Sequence, residues 1–231
     1  MKALCIIPAR GGSKRIPRKN VRLFAGRPII AYPIDAALQS GCFDEVMVST
    51  DDAEIAAVAR DCGAVVPFLR SAENSTDHAG SNDVFAEVLQ RYATAGRKFE
   101  FACGIYPTAA LLTAARLREG LDRLQGDATL TTVLPVQRFS FPIQRAVALR
   151  DGRVAMFQPE HFKSRSQDLE PAFHDAGQWY WLRVEAFLRT RELMGPNCAA
   201  LVLSEREAQD IDNEEDWALA EMKYQLRHRS T

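Results

Sequence analysis

"IIPARGGSKRIPRKN", residues 6–20, closes an apolar run and opens a basic one. Ala3, Leu4, Cys5, Ile6 and Ile7 read as a strand covered on both faces, since a short unbroken apolar run is the pattern of such a strand. Pro8 ends it. Residues 9–20 then carry two glycines, a serine and five basic residues, with no acidic residue among them. The chain as a whole balances 29 Lys+Arg against 30 Asp+Glu, a net charge of −1. That balance argues against a dedicated nucleic-acid or membrane-surface protein, which would carry a basic excess. The positive charge is local, so its purpose must be local.

Outward from the loop, strand-like and helix-like segments alternate. Ile30, Ile34, Ala37 and Leu38 recur at helical spacing, and Gly41 ends that helix. Residues 46–49 read as the next strand. Asp51 or Asp52 caps a helix carrying Ile55, Val58, Ala59 and Cys62. A short strand is predicted over 65–68. Ser81 can cap a helix with Val84, Phe85, Val88, Leu89 and Tyr92 on one face. Residues 99–106, 129–136, 179–182 and 201–203 are strand-like, helices run through Leu117 and Leu121 and from about Asn213 onward. Strands alternating with helices imply βαβ units, hence an α/β fold with a mostly parallel sheet and helices on both faces. Ligands bind beyond the carboxyl ends of such strands, where the opening loop lies.

From about 138 to 178 the periodicity fades, and Pro142, Pro159 and Pro171 interrupt it. A stretch this long is an excursion from the core or a functional flap. With 231 residues, 47% hydrophobic and 26% charged, the chain reads as a single domain over 1–231 bearing that insertion. No apolar run approaches a membrane span, and the N-terminal run is too short for a signal-peptide core. Five dispersed cysteines without a C-x-x-C pair fit free thiols in a reducing cytoplasm.

The loop matches neither the Walker spacing nor G-x-G-x-x-G, because Gly11 and Gly12 are adjacent with no third glycine in place. The missing spacing also sets aside a dinucleotide-dependent oxidoreductase. The physics is nevertheless shared: glycines let backbone N–H groups approach an anion, Ser13 adds a donor, and Arg10, Lys14, Arg15, Arg18 and Lys19 can neutralise a multiply charged ligand. A triphosphate is the natural match; a solvated basic loop is the alternative. Arg18, if it faces solvent, is the dispensable member. Near the C-terminus, Asp210 and Asp212 stand at i and i+2, which in an extended segment puts both carboxylates on one side. Beside phosphates they would suit Mg²⁺, while Asp212 or Asn213 could instead cap the last helix.

"IPARGGSKRIPRKN" (7–20) resembles the N-terminal signature of the CMP-sugar synthetases, the acylneuraminate cytidylyltransferase family. The resemblance continues in order through "VSTDD" (48–52), "VPFLR" (66–70), "IYPT" (105–108), "FPIQRA" (141–146), "RSQDLEP" (165–171), "HDAGQWYW" (174–181) and "DIDNEEDW" (210–217). The motifs at 141–146, 165–171 and 174–181 look like the branch that uses pseudaminic acid, a precursor of bacterial surface and flagellar glycans. Ala110, where the family usually shows proline, and Leu182, where that branch often has glycine, depart from the pattern.

The resemblance implies a nucleotidyltransferase fold and the transfer of CMP from CTP to the anomeric hydroxyl of a nine-carbon α-keto acid sugar, with release of pyrophosphate. It implies that Arg10, Ser13 and Lys19 hold the triphosphate, with Asn20 beside them, and that backbone at Ala9, Arg10 and Gly11 faces the nucleoside. It places Arg70 and Ser81 in nucleotide recognition and gives Asp210 and Asp212 the Mg²⁺. Within the branch motifs, Arg145 and Arg165 are candidates for the sugar carboxylate, and Gln144, Gln167, Asp175 and Gln178 for its amides and hydroxyls. His174 suits a general base only by its ordinary pKa. The excursion matches a dimerisation arm, implying a homodimer in which Phe141, Phe157 and Phe162 are covered. N-acetylneuraminic or legionaminic acid are alternative acceptors, and a non-catalytic nucleotide or sugar sensor is the alternative of another class.

Overall fold

The computed structural model describes residues 2–76 and 79–228. Its strands are β1 (Ala3–Pro8), β2 (Leu23–Phe24), β3 (Arg27–Pro28), β4 (Glu45–Ser49), β5 (Phe101–Ile105), β6 (Thr132–Arg138), β7 (Val147–Arg150), β8 (Arg153–Met156), β9 (Phe173–Asp175), β10 (Trp179–Arg183) and β11 (Cys198–Leu203). The helices are α1 (Ala31–Ser40), α2 (Ala53–Asp61), α3 (Ser81–Thr94), α4 (Ala114–Gly126), α5 (Val184–Thr190) and α6 (Glu214–His228).

The strand read from the opening stretch lies inside a seven-stranded sheet of order β11-β6-β10-β5-β1-β4, with β9 added beside β6. β1 pairs in parallel with β4 and β5, and β6 with β11. β9 and β10 run against their neighbours. The predicted α/β sheet is therefore present, most of its strands pointing one way. β10 opposes β5 and β6 because the chain re-enters the sheet after the excursion from the end at which it left.

Alternation along β1 builds two cores. Ala3, Cys5 and Ile7 pack with Ile34, Ala37, Ile55, Ala59, Leu117 and Leu121 of α1, α2 and α4. Leu4 and Ile6 pack on the other face against Val84, Phe85, Val88 and Leu89 of α3 and Phe187 of α5. With a period of two, one unbroken apolar strand serves both layers. A third cluster joins Ile16 of the basic loop, Phe24, Ile29 and Tyr32 to Ile211, Trp217 and Ala220. Burying Ile16 and Ile211 in one cluster carries the loop to the acidic segment almost two hundred residues away.

Three local expectations change. Residues 65–68 form no strand; Val65 makes a single parallel bridge to Met47. Ser81 does not cap α3: Gly80 is the N-cap, and its N–H donates to the Asp83 carboxylate at 3.1 Å. The excursion is more regular than its sequence suggested, because Asp151 and Gly152, both at positive φ, turn β7 back onto β8. Asp-Gly is a preferred pair for such a hairpin turn.

Candidate active site

At the carboxyl ends of β1 and β5 the loop, the turn after β5 and the segment before α6 enclose a cavity of about 630 Å³. Arg10, Ser13, Lys14, Arg15, Lys19 and Asn20 of the loop, Pro8 at the end of β1, Tyr106, Pro107 and Thr108 after β5, and Asp210 and Asp212 before α6 line it.

Each group is held by named contacts. Asn20 is buried and donates its amide to the Arg10 carbonyl at 2.9 Å, closing the loop on itself. Arg10 reaches the Thr76 carbonyl at 3.2 Å. Lys19 Nζ donates to the Ile211 carbonyl at 2.6 Å, tying the loop to the acidic segment. Burial pushes the Lys19 ammonium pKa down, against the opposing pull of Asp212 and Asp210. Arg15 pairs with Asp212 at 2.7 Å.

Asn213, not Asp212, caps α6: its side-chain oxygen accepts from Glu215 N at 2.8 Å and Asp216 N at 3.0 Å. Asp216 answers by accepting from Asp212 N at 3.0 Å and Asn213 N at 3.1 Å. This reciprocal cap leaves the Asp212 side chain to the cavity. Partial desolvation first, then the like charge of Asp212, raises the Asp210 carboxyl pKa, with Lys19 opposing. Two carboxylates that repel one another beside a cationic wall suit a hard divalent cation with oxygen ligands. Among the described residues no group of three or more His, Cys, Asp or Glu could hold a metal, so such an ion would share this pair with phosphate oxygens.

Residues 4–137 match the family model described as Cytidylyltransferase. The chain is 41% identical over 232 residues to the pseudaminic acid cytidylyltransferase of Campylobacter jejuni subsp. jejuni serotype O:2, covering 100% of this chain and 99% of the relative. The chain belongs to the cytidylyltransferase family. It is also 33% identical to the CMP-N,N'-diacetyllegionaminic acid synthase of Legionella pneumophila, over 100% of this chain and 99% of that one. In fold, this cytidylyltransferase is similar to CMP:2-keto-3-deoxy-manno-octonic acid synthetase complexed with CTP: TM-score 0.72, 17% identity, covering 99% of this chain and 100% of the other.

The other residues that the sequence suggests for the site lie outside the cavity lining. Ala9 is fully buried and its N–H goes to the Ser49 carbonyl at 2.9 Å. The Gly11 N–H donates to Asp51 at 2.9 Å, so that amide is already occupied. Asp51 thus holds the loop, and Asp52 alone caps α2, accepting from Glu54 N at 2.9 Å and Ile55 N at 3.0 Å. A side chain at position 11 would meet Asp52, the ideal Cβ lying 2.7 Å from Oδ2. Arg70 is buried behind the loop, its Nε 3.1 Å from Ser49 Oγ and its guanidinium also on the Ser49 carbonyl. Burial lowers its pKa to about 10, so it stays charged at neutral pH. Ser81 sits in the first turn of α3.

In the excursion, Gln144 donates to the Glu170 carbonyl at 3.0 Å, Arg145 to Ser166 Oγ at 3.2 Å, and Arg165 binds Asp168 through two nitrogens at 2.7 and 3.0 Å. Gln167 borders a separate cavity of about 280 Å³ within the excursion. Gln178 is buried and donates to the Glu207 carbonyl at 2.7 Å. Asp175 gives one oxygen to the Gly177 N–H at 2.8 Å and the other to the Tyr180 hydroxyl. His174 Nδ1 lies 2.8 Å from the Asp175 carbonyl, away from the cavity lining. The sequence alone assigns no role to Tyr106, Pro107 and Thr108, which line the cavity. Their signal was position: they follow the carboxyl end of a buried strand, within the quoted "IYPT".

Proposed function

We propose that this chain transfers CMP from CTP to the anomeric hydroxyl of pseudaminic acid, a nine-carbon α-keto acid sugar, releasing pyrophosphate. The observation that carries the reading is the meeting of Arg10, Ser13, Lys14, Arg15 and Lys19 with Asp210 and Asp212 in one cavity. Four cations and a hydroxyl in the lining match a triphosphate, and the carboxylate pair beside them matches the cation that travels with it. The choice of acceptor rests on 41% identity, end to end, to a pseudaminic acid cytidylyltransferase, against 33% to a legionaminic acid synthase.

In the transfer, the sugar hydroxyl oxygen forms a bond to the α-phosphorus in line as the bond to the pyrophosphate oxygen breaks; pyrophosphate leaves and the hydroxyl proton passes to solvent. Arg10, Ser13 and Lys19 hold the phosphates, and Lys19 moves its proton donors from the Ile211 carbonyl to the ligand. Tyr106, Pro107 and Thr108, which line the same cavity, help align the reactants. Asp210 and Asp212 would hold Mg²⁺, which supplies charge neutralisation at the phosphates. Arg15, paired with Asp212 in the free chain, turns to phosphate when the carboxylate is engaged. The excursion residues Gln144, Arg145, Arg165 and Gln167 lie away from the cavity of their own chain, which supports a homodimer in which they serve the partner's site. No helix of the described residues is long and apolar enough to cross a membrane.

Pyrophosphate release from CTP is the test, with pseudaminic, legionaminic and N-acetylneuraminic acids as acceptors, with and without Mg²⁺. Pseudaminic acid should be preferred by about a hundredfold in kcat/KM, the worth of two mismatched buried contacts at roughly 1–3 kcal/mol each. Asp210→Asn should fold normally and lose on the order of a hundredfold or more in turnover. Equal efficiency with N-acetylneuraminic acid overturns the acceptor; Mg²⁺-independent turnover by Asp210→Asn overturns the metal assignment.

A further inference from the structure

The sugar-reading role that the sequence suggests for Asp175 meets a difficulty: both of its carboxylate oxygens are already engaged by the protein. One accepts the Gly177 N–H at 2.8 Å, folding residues 175–177 into a tight turn. Gly177 holds a left-handed backbone, φ +62°, and lies directly against Asp210: an ideal Cβ there would stand 3.2 Å from the Asp210 Cγ and 3.3 Å from its Cβ. The turn thus packs against the Asp210 side chain, and any side chain larger than glycine's would press on it while also straining the left-handed backbone. The other Asp175 oxygen takes the Tyr180 hydroxyl. The Tyr180 ring meets Tyr106 edge to face at 5.7 Å, and Tyr106 lines the cavity. One carboxylate therefore fixes two parts of the site without lining the cavity itself.

We propose that Asp175 is a positioning residue for the metal carboxylate: through the Gly177 turn it sets the side chain of Asp210. The inference rests on the metal role given to Asp210 above. A carboxylate that holds a metal ligand in place governs affinity through the ligand's geometry, and losing such outer partners costs on the order of 10–100-fold in metal affinity. A sugar contact would leave cation binding untouched. The chemistry of the conservative variant separates the two roles further. Asparagine keeps an oxygen for Gly177 N–H and can donate its amide to the Tyr180 oxygen, since a phenol accepts as well as donates. It preserves the turn but changes the charge that a sugar would meet.

The test is Mn²⁺ binding in the presence of CTP, followed by electron paramagnetic resonance on the full chain, with thermal melting to confirm that each variant is folded. Asp175→Ala should weaken Mn²⁺ at least about tenfold. Asp175→Asn should stay within about threefold of the parent. Gly177→Ala, which removes no polar group but drives a methyl toward Asp210, should weaken Mn²⁺ like Asp175→Ala. Unchanged Mn²⁺ affinity in a folded Asp175→Ala overturns the proposal, as does an Asp175→Asn damaged as badly as the alanine variant. The same parent protein assayed for pyrophosphate release with the acid sugars reports on the function separately: failure there removes the acceptor and leaves the ranking of Mn²⁺ affinities to decide the role of Asp175.

Discussion

Arg18 shows how a single cation in a basic run acquires a different task from its neighbours. Its backbone is left-handed, φ 56°. Its guanidinium turns away from the cavity, meets Asp52 at 2.5 and 3.2 Å, and also pairs with Glu54. It is therefore not the solvent-facing spare: it staples the loop to the cap of α2. The Arg18 hydrogen bond, then the Ile55 N–H, pull the Asp52 carboxyl down to about 2 from 3.8. A depressed carboxyl stabilises the fold above its ordinary pKa, and the gain is lost as pH falls through the folded value. The Arg18 side chain is 40% exposed and that of Asp52 22%, so solvent screens the pair and Arg18→Ala should cost only about 1 kcal/mol at pH 7. Urea unfolding of parent and variant should show that gap intact above about pH 4 and shrinking toward pH 2. A constant gap across that range would remove the ion pair as its cause. Five cations in twelve residues were legible as a candidate anion site, but which one turns away from it depends on Asp52 and Glu54, brought close only by the fold.

Among the elements, the fit of α3 on the sheet depends on a residue that looks unsuited to its place. Gly104 sits in β5 between β1 and β10, where glycine ordinarily weakens a strand. Here Phe85 of α3 lies directly over it, an ideal Cβ at position 104 falling 2.0 Å from the ring. Gly104→Ala must displace Phe85, a fully buried ring, and overpacking of this kind costs roughly 1–3 kcal/mol. Adding Phe85→Leu should recover part of that loss, because the smaller side chain vacates the space the methyl needs. Urea unfolding of the two single variants and the double variant checks this; strictly additive losses would sink the packing account. The long periodic elements were readable from the sequence because burial on one face imposes their period. The β7–β8 hairpin carried a readable signal, Asp-Gly between four-residue runs, that proline-rich surroundings masked. The reversal of β10 had no local signal, since its apolar residues look alike in either direction.

For the whole molecule, the site was legible in its two charged ends and illegible in what joins them. Lys19 and Ile211 meet only because Ile16, Trp217 and their neighbours collapse into one cluster. The same scale decides the excursion. β7 and β8 pair with each other and with no strand of the main sheet. A lone two-stranded hairpin is marginal in water, yet this one and its flanks display Phe141, Leu149, Phe157 and Phe162 at 65–74% exposure. Exposed apolar side chains so concentrated mark a candidate interaction surface. Two copies related by a twofold axis would present the same face to each other, hiding both sets at once. Sedimentation at assay concentration should therefore give a dimer. Phe141→Ser with Phe162→Ser should shift it toward monomer while leaving the unfolding of the main domain unchanged, since neither side chain contributes to its cores. Activity should fall with the dimer fraction and recover as protein concentration is raised, because the excursion carries Arg145 and Arg165, and its own chain's cavity is lined without them. A parent chain that sediments as an active monomer would refute the pairing.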